Sequence, residues 1–438
     1  MNSSNPQRSW RESLGIYRNP RVLAMLFLGF SAGLPFPLVA GTLLAWLRTA
    51  EVGLSEIGMF GWVGILYSLK FLWAPLADSL SVPGLTKWLG RRRSWMLMSQ
   101  VCVTIGLVAL ASTEPSGNLQ LVAWLALLVA FGSATQDIVV DAYRIEAVPM
   151  KVQGAMAASY QVGYRVALQA IAGALAFYVA DFMSFQFAYL IMAILMGVGM
   201  LTVMLIAEPE VNQPGAAASP ENGPQAAFRF DEWFRRAVIG PFANFFGQHG
   251  YWALVLLAFI GFYRVSDMVL GVMAYPFYID LGFSLSEIAT ITKVFGVFVT
   301  LFGAAMGGVA VARYNLNGPL IFGAVLLAIT NLFFAAMAVV GAELWILVIT
   351  ISADNLAAGF TGTVFIAYLS GLTNTAYTAT QYALFSSLMT LPGKLISGFS
   401  GFIVESVDWF SFFIYASGMG IPAIILAVVV TRRETGSA

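Results

Sequence analysis

Histidine and cysteine are almost absent: the 438 residues hold one of each, His249 and Cys102. A single cysteine cannot close an internal disulfide. A single histidine excludes a histidine-built metal site, a Ser-His-Asp triad and a relay between two imidazoles. Charge is scarce too. Charged residues make up 10% of the chain, and 22 Lys and Arg balance 22 Asp and Glu. A nucleic-acid partner would leave a basic footprint, and there is none. Nothing in the composition calls for a metal or an organic cofactor.

Apolar length is what the chain has in quantity. Hydrophobic residues make up 59% of it, more than a water-soluble chain of this size can keep dry, so lipid is the solvent. Twelve stretches are predicted to cross as helices, since about 20 residues span the hydrocarbon. They cover 22–47, 56–78, 94–113, 119–143, 153–179, 186–207, 251–275, 284–311, 318–340, 343–369, 379–403 and 409–431. The first is too long for the apolar region of a cleavable signal and is expected to remain as a membrane helix. The loops differ in charge from side to side. Arg8, Arg11, Arg18, Arg21, Lys87, Arg91, Arg92, Arg93, Arg144, Lys151, Arg229, Arg235, Arg236, Arg313, Arg432 and Arg433 fall on one side, and Arg48 alone on the other. The basic side is cytoplasmic, which puts both termini there.

The expected organisation is a cytoplasmic tail over 1–21, six helices over 22–207, a cytoplasmic linker over 208–250, six helices over 251–431 and a tail over 432–438. Asn212 to Gln225 is rich in Pro, Gly, Ala and Ser, as a flexible linker is. From Phe228 to Phe246, Phe230, Trp233, Phe234 and Val238 share one helical face among charges, which predicts a helix in the membrane interface that Pro241 kinks or ends. The two halves repeat. Leu54-Ser55-Glu56-Ile57 recurs as Leu285-Ser286-Glu287-Ile288, and at a similar offset Ala142-Tyr143 matches Ala367-Tyr368, Gly173 matches Gly398, and Phe185 and Phe187 match Phe410 and Phe412. An all-α membrane protein of two six-helix bundles follows, a 6+6 layout similar to the major facilitator superfamily. Asp78 closing the second helix and Arg91, Arg92 and Arg93 opening the third resemble that superfamily's signature loop, with 79–89 inserted. Together with Arg144 they are candidates for a latch on one conformation, or the arginines are simple topology anchors.

Three motifs are similar to the AmpG-type muropeptide permeases of Gram-negative inner membranes: Gly29-Phe30-Ser31-Ala32-Gly33-Leu34-Pro35, Lys70-Phe71-Leu72-Trp73-Ala74-Pro75-Leu76-Ala77-Asp78, and Gln136-Asp137-Ile138-Val139-Val140-Asp141-Ala142-Tyr143-Arg144. The acetyl-CoA transporters share parts of the second and third. The resemblance implies import of N-acetylglucosaminyl-anhydro-N-acetylmuramyl peptides from periplasm to cytoplasm for cell-wall recycling, which bears indirectly on β-lactamase induction and antibiotic resistance. It implies a proton gradient as energy source, no cofactor, and a monomer in the inner membrane.

Five cations are predicted inside the membrane, where an ionisable group marks a functional site by default: Lys70, Arg165, Arg264, Lys293 and Lys394. Asp137 and Asp141 are one turn apart on the fourth helix, with Gln136 before them and Arg144 beyond. Asp137, the deeper, is the favoured proton carrier, whereas Asp141 is expected to pair with Arg144 or the adjacent loop. Arg165 lies between Gln161 and Gln169 on one face and either binds a substrate carboxylate or pairs with Asp137. Tyr263, Arg264 and Asp267 repeat the theme in the seventh helix, where Arg264 and Asp267 can neutralise each other; Asp267 is a further proton candidate. Asp354 and Asn355 are placed to complement Lys293 or Lys394, unless Lys293 simply snorkels to the interface. Gln381 and Lys394 share the eleventh helix, whose backbone Pro392 and Gly393 are expected to interrupt. Tyr164, beside Tyr160, and Tyr263 are candidates to stack on a sugar ring. Pro35 and Pro37 predict a kink in the first helix, and Gly29 with Gly33, like Gly303 with Gly307, predicts close helix packing. The alternatives are transport of another solute, such as an acetyl-CoA-like or peptide cargo, and a sensor that has lost transport. An intramembrane enzyme is not expected.

Overall fold

A computed structural model describes residues 18–209, 240–372 and 378–436. Among them, eleven helices are long and apolar enough to cross a membrane. In lipid every backbone N–H and C=O must be bonded within the segment, and an apolar chain meets that demand as helix. The spans are α1 (Pro20–Thr49), α3 (Arg91–Ala111), α4 (Leu119–Glu146), α5 (Val152–Phe182), α6 (Phe185–Leu205), α7 (Trp252–Leu281), α8 (Leu285–Tyr314), α9 (Asn317–Val340), α10 (Leu344–Leu369), α11 (Ser387–Val407) and α12 (Trp409–Arg433). The twelfth expected stretch, α2 (54–79), is helical in short pieces, with 3₁₀ turns at Gly61–Gly64 and Lys70–Leu72. Gly61 and Gly64 weaken the ladder, and Pro75 withholds the N–H that would continue it.

Other spans also depart from the regular helix. α1 bends at Leu34 before Pro35 and again at Ala40, as its prolines predict. α5 turns into a π-helix over Val166–Leu175, α8 over Ala289–Phe295, and α7 breaks at Tyr263–Arg264. In α11 the expected break at Pro392 is not found. The helix runs through Thr378–Ser397 and breaks only at Gly398 and Phe399. Proline in a membrane helix is tolerated where a neighbour leaves room for its ring, and here that neighbour is Gly261, where a Cβ would meet Pro392 Cγ at 3.2 Å. The interfacial helix expected over 228–246 lies mostly outside the described residues, and Pro241 stands in the first turn of the described helix Gly240–His249.

The chain forms two compact units that cut across the sequence halves: Met1–Val39, Lys70–Glu114 and Asn118–Ala226 in one, Ala40–Leu69, Pro115–Gly117 and Ala227–Ala438 in the other. In the first unit Val22, Met25, Leu28, Met96, Val139, Tyr143, Met156 and Val203 form an apolar core. α1 and α5 touch backbone to backbone: Gly29 and Gly33 lie on the carbonyls of Tyr160 and Tyr164, and Gly163 on that of Leu26. Its cytoplasmic end is tied by acids on the basic side. Arg92 grips Glu146 through two N–H donors, at 2.6 and 2.9 Å. Glu208 accepts the backbone N–H groups of Arg92 and Arg93 at the start of α3, where a helix dipole favours an anion. The Arg93 side chain donates to the carbonyls of Val203 and Met204.

In the second unit Phe259, Tyr263, Leu320, Phe360, Phe365, Tyr368 and Phe385 build the core. α8 and α10 repeat the backbone contact, with Gly303 and Gly307 on the carbonyls of Leu356 and Phe360 and Gly359 on that of Thr300. Its periplasmic end carries the outer parts of α1 and α2. Gly58 faces the Gly398 carbonyl and Gly401 nitrogen, so α2 lies directly on α11. Arg48 pairs with Asp280, whose other oxygen accepts Trp409 Nε1–H at 3.2 Å, and Glu405 accepts the Ser55 N–H at 2.9 Å. The repeated Leu-Ser-Glu-Ile opens a helix in both places. Only α8 closes a capping box, Ser284 with Glu287, because Gly53 stands at the matching N-cap of α2.

Candidate functional site

Each unit holds one cluster of intramembrane charge, and the helix irregularities lie where the cations are. Lys70 sits in a 3₁₀ turn, Arg165 immediately before a π-helix, Arg264 at the break in α7 and Lys293 within a π-helix. π-helical turns inside α-helices recur at functional sites because they re-aim side chains and loosen the ladder. Sequence alone named the cations but not this coincidence.

In the first unit Lys70 on α2 reaches Asp137 on α4, Nζ to Oδ2 at 3.5 Å. The other Asp137 oxygen, Oδ1, is buried without a hydrogen-bond partner. Lys70, not Arg165, is therefore the partner of Asp137. Asp141 pairs with Arg144 at 3.2 Å, one turn nearer the cytoplasm, as expected. Arg165 and Gln161 are exposed, Gln169 and Tyr164 half-buried. The Tyr160 and Tyr164 rings lie 5.8 Å apart, and both hydroxyls are within electrostatic reach of Asp137. Trp73 braces the pair, donating to Thr135 at 3.1 Å and packing on Phe131.

Gln136 belongs to a buried polar knot that holds α1, α3 and α4. It and Gln100 both donate to Ser31 Oγ, at 2.5 and 3.2 Å, and Ser31 donates to the Leu28 carbonyl. The run Gly29-x-Ser31-x-Gly33 has the spacing of a hydrolase nucleophile elbow, but that elbow needs a strand-to-helix turn and a base. Here Ser31 is buried in mid-helix, and the one histidine bonds the Phe245 carbonyl and stacks on Phe245.

In the second unit Arg264 pairs with Asp267 on the next turn of α7. Asp354 on α10 is within electrostatic reach of both. The expectation that Asp354 and Asn355 complement Lys293 or Lys394 is corrected accordingly. Asp354 faces Arg264, and Asn355 accepts from Thr300 at 2.8 Å and donates to the Ile351 carbonyl. Lys293 lies over the Tyr275 ring, 4.7 Å from its centre, and Lys394 donates to Ser68, which bonds Thr390. Tyr263, next to Arg264, turns into the core: it is 1% exposed, stacked on Phe365 at 4.2 Å and bonded to the Leu320 carbonyl. That makes it a core residue. The latch arginines Arg92 and Arg93 bond within their own unit. The Asp78 and Gln381 side chains lie outside the described residues.

In the first unit Asp137 and Asp141 meet Lys70 and Arg144, and Arg165 pairs with no carboxylate among the described residues. In the second, Asp267 and Asp354 lie about Arg264. A charge left unbalanced in a membrane is costly. Among the described residues no group of three or more His, Cys, Asp or Glu is placed to hold a metal ion.

The family model of the Major Facilitator Superfamily matches residues 21–395. The chain is 32% identical over 418 residues to the anhydromuropeptide permease of Escherichia coli (strain K12), covering 95% of this chain and 81% of that protein. It is 30% identical over 421 residues to a putative transporter, AmpG 4, of Rickettsia felis (strain ATCC VR-1525 / URRWXCal2), covering 95% and 98%. Among solved structures, the nucleoside transporter NupG superposes with a TM-score of 0.63 at 15% identity, covering 94% of this chain and 98% of that one. A D-xylose–proton symporter superposes with a TM-score of 0.64 at 14% identity, covering 96% and 97%. At such identities the structures speak for the fold alone.

Proposed function

Since the chain belongs to the Major Facilitator Superfamily and, within it, to the family of the anhydromuropeptide permeases, we propose that this multi-pass inner-membrane transporter imports anhydromuropeptides from periplasm to cytoplasm with a symported proton. The observation that carries the reading is the guanidinium of Arg165, exposed and paired with no carboxylate among the described residues. A muropeptide brings carboxylates on its peptide, and a guanidinium binds a carboxylate through two parallel hydrogen bonds. Arg165, exposed and without an ion pair among the described residues, is the carboxylate anchor of the first unit. Arg264 plays that part in the second when Asp267 releases it.

Asp137 is the proton site of this proposal. Its attraction to Lys70 at 3.5 Å is on the order of 5 kcal/mol at an effective dielectric constant of about 20. Protonation removes that attraction and leaves Trp73 as a polar link between α2 and α4. One charge crossing 100 mV yields about 2.3 kcal/mol, roughly half of that attraction. Asp141, already held by Arg144, steadies the cytoplasmic end of α4. Tyr160 and Tyr164 offer faces for a sugar ring beside the carboxylate anchor.

The test is uptake of radiolabelled anhydromuropeptide into proteoliposomes under an imposed inward proton gradient, with Asp137→Asn alongside. Uptake that collapses without the gradient and in the variant supports the reading. Gradient-independent uptake removes the coupling and keeps the substrate. A folded protein that takes up none of the muropeptide overturns the substrate assignment.

A further inference from the structure

At the cytoplasmic ends of α1 and α6, a cavity of about 830 Å³ opens between the two helices. Its walls are Leu23, Phe27, Leu201 and Leu205, which are 50%, 41%, 61% and 77% exposed, so no described protein segment covers them. Thr202 lies in its floor with its hydroxyl spent on the Val198 carbonyl, which leaves the floor without a free donor. At its mouth stands Arg21, half-buried. One guanidinium N–H is bonded to the Ala147 carbonyl, which fixes the group in place. No carboxylate pairs with Arg21 among the described residues.

These features match one kind of molecule. The mouth lies on the basic, cytoplasmic side, at the depth of the inner-leaflet headgroups. An apolar slot below a fixed cation at that depth complements an acyl chain joined to a phosphate, and basic pockets between membrane helices on the cytoplasmic side bind anionic headgroups. We propose that the α1–α6 groove is a binding site for one anionic phospholipid of the inner leaflet, its phosphate on Arg21 and its acyl chains along Leu23, Phe27, Leu201 and Leu205. The lipid would brace α1 against α6, on a face of α1 other than the one that meets α5. This assignment is independent of the transported substrate and of proton coupling.

The experiment is native mass spectrometry of the full-length, delipidated protein titrated with phosphatidylglycerol or with phosphatidylethanolamine of the same acyl chains. The expected result is a first-bound lipid with a several-fold preference for phosphatidylglycerol. Arg21→Gln should lose the preference, and Thr202→Trp, which fills the slot while leaving Arg21 in place, should lose that first-bound lipid altogether. Equal retention of the two lipids, or a preference that survives both substitutions, overturns the proposal. A benzoylphenylalanine placed at Leu205 reads the occupant directly. Cross-linking to phospholipid supports the site, and cross-linking to residues 1–17 or 210–239 overturns it by showing that the chain fills its own groove.

Discussion

The two units solve the same problem, holding charge inside a membrane, in different ways. In the first, the ion pair at greatest depth joins two helices, Lys70 on α2 and Asp137 on α4. In the second, Arg264 and Asp267 share one helix, a turn apart, with Asp354 as a second carboxylate across on α10. A pair within a helix moves with it and survives any rigid-body shift. A pair between helices is made or broken by such a shift, so it can report or control the helix arrangement. The repeated fold thus carries unrepeated charge, and the interhelical pair is the one suited to a switch.

The most severe way to break the comparison is to remove one member of the interhelical pair. Asp137→Ala leaves Lys70 without its partner, which costs about 3 kcal/mol, the low end for a broken buried pair because the Lys70 side chain is 36% exposed. Thermal unfolding should move down by several degrees, and uptake should disappear. The double variant Lys70→Ala with Asp137→Ala should recover the unfolding temperature but not the uptake. Recovery of both would reduce the pair to a structural strut.

Packing is the next test. The α1–α5 and α8–α10 contacts are both built on glycines lying against carbonyl groups. Gly163→Val and Gly303→Val should each cost about 1–3 kcal/mol through overpacking, read as the shift in denaturation midpoint. If α1 and α5 carry the moving surface, Gly163→Val should also lower the transport rate of the protein that remains folded, and Gly303→Val should lower it less.

A smaller effect is expected at Asp267. With Asp354 at hand to balance Arg264, Asp267→Asn should cost about 1.5 kcal/mol, the low end of the scale for one hydrogen bond to a charged partner. Combining it with Asp354→Asn should cost clearly more than the two single changes added together, since coupled charges are not additive. A thermal-shift series over the four proteins gives the answer, and strict additivity would show that Asp354 does not share Arg264. The smallest change should follow Arg48→Gln at the periplasmic rim, where an ion pair is worth about 0–1 kcal/mol. Its unfolding temperature should stay within error of the parent.

Much of this architecture was legible from residue order because local physics dictates it. Apolar length marks the spans, the one-sided arginines orient them, and Gly29, Gly33, Gly303 and Gly307 announced close packing. Asp141 with Arg144 and Arg264 with Asp267 were legible for the same reason, since residues three apart on a helix are neighbours. Partners distant in sequence were not. Lys70 with Asp137, Arg92 with Glu146 and Glu208, Ser31 with Gln100 and Gln136, and Ser68 with Thr390 and Lys394 depend on which helices are adjacent and in what register. Tyr263 left a misleading signal, since an intramembrane tyrosine beside an arginine reads as a site residue until its hydroxyl is seen bonded in the core.

The sequence by itself therefore determined that this chain spans a membrane as two repeated sets of helices, which way they run, and that a handful of charges is buried among them. Water, lipid and helix geometry act on each segment separately, so no fold is needed to read them. Only the tertiary structure decided which charge meets which, that α2, α5, α7 and α8 leave the regular helix where Lys70, Arg165, Arg264 and Lys293 stand, and that α11 runs unbroken through Pro392. These outcomes depend on the space a neighbouring helix leaves or fills, and that space is set by contacts between residues far apart in the chain.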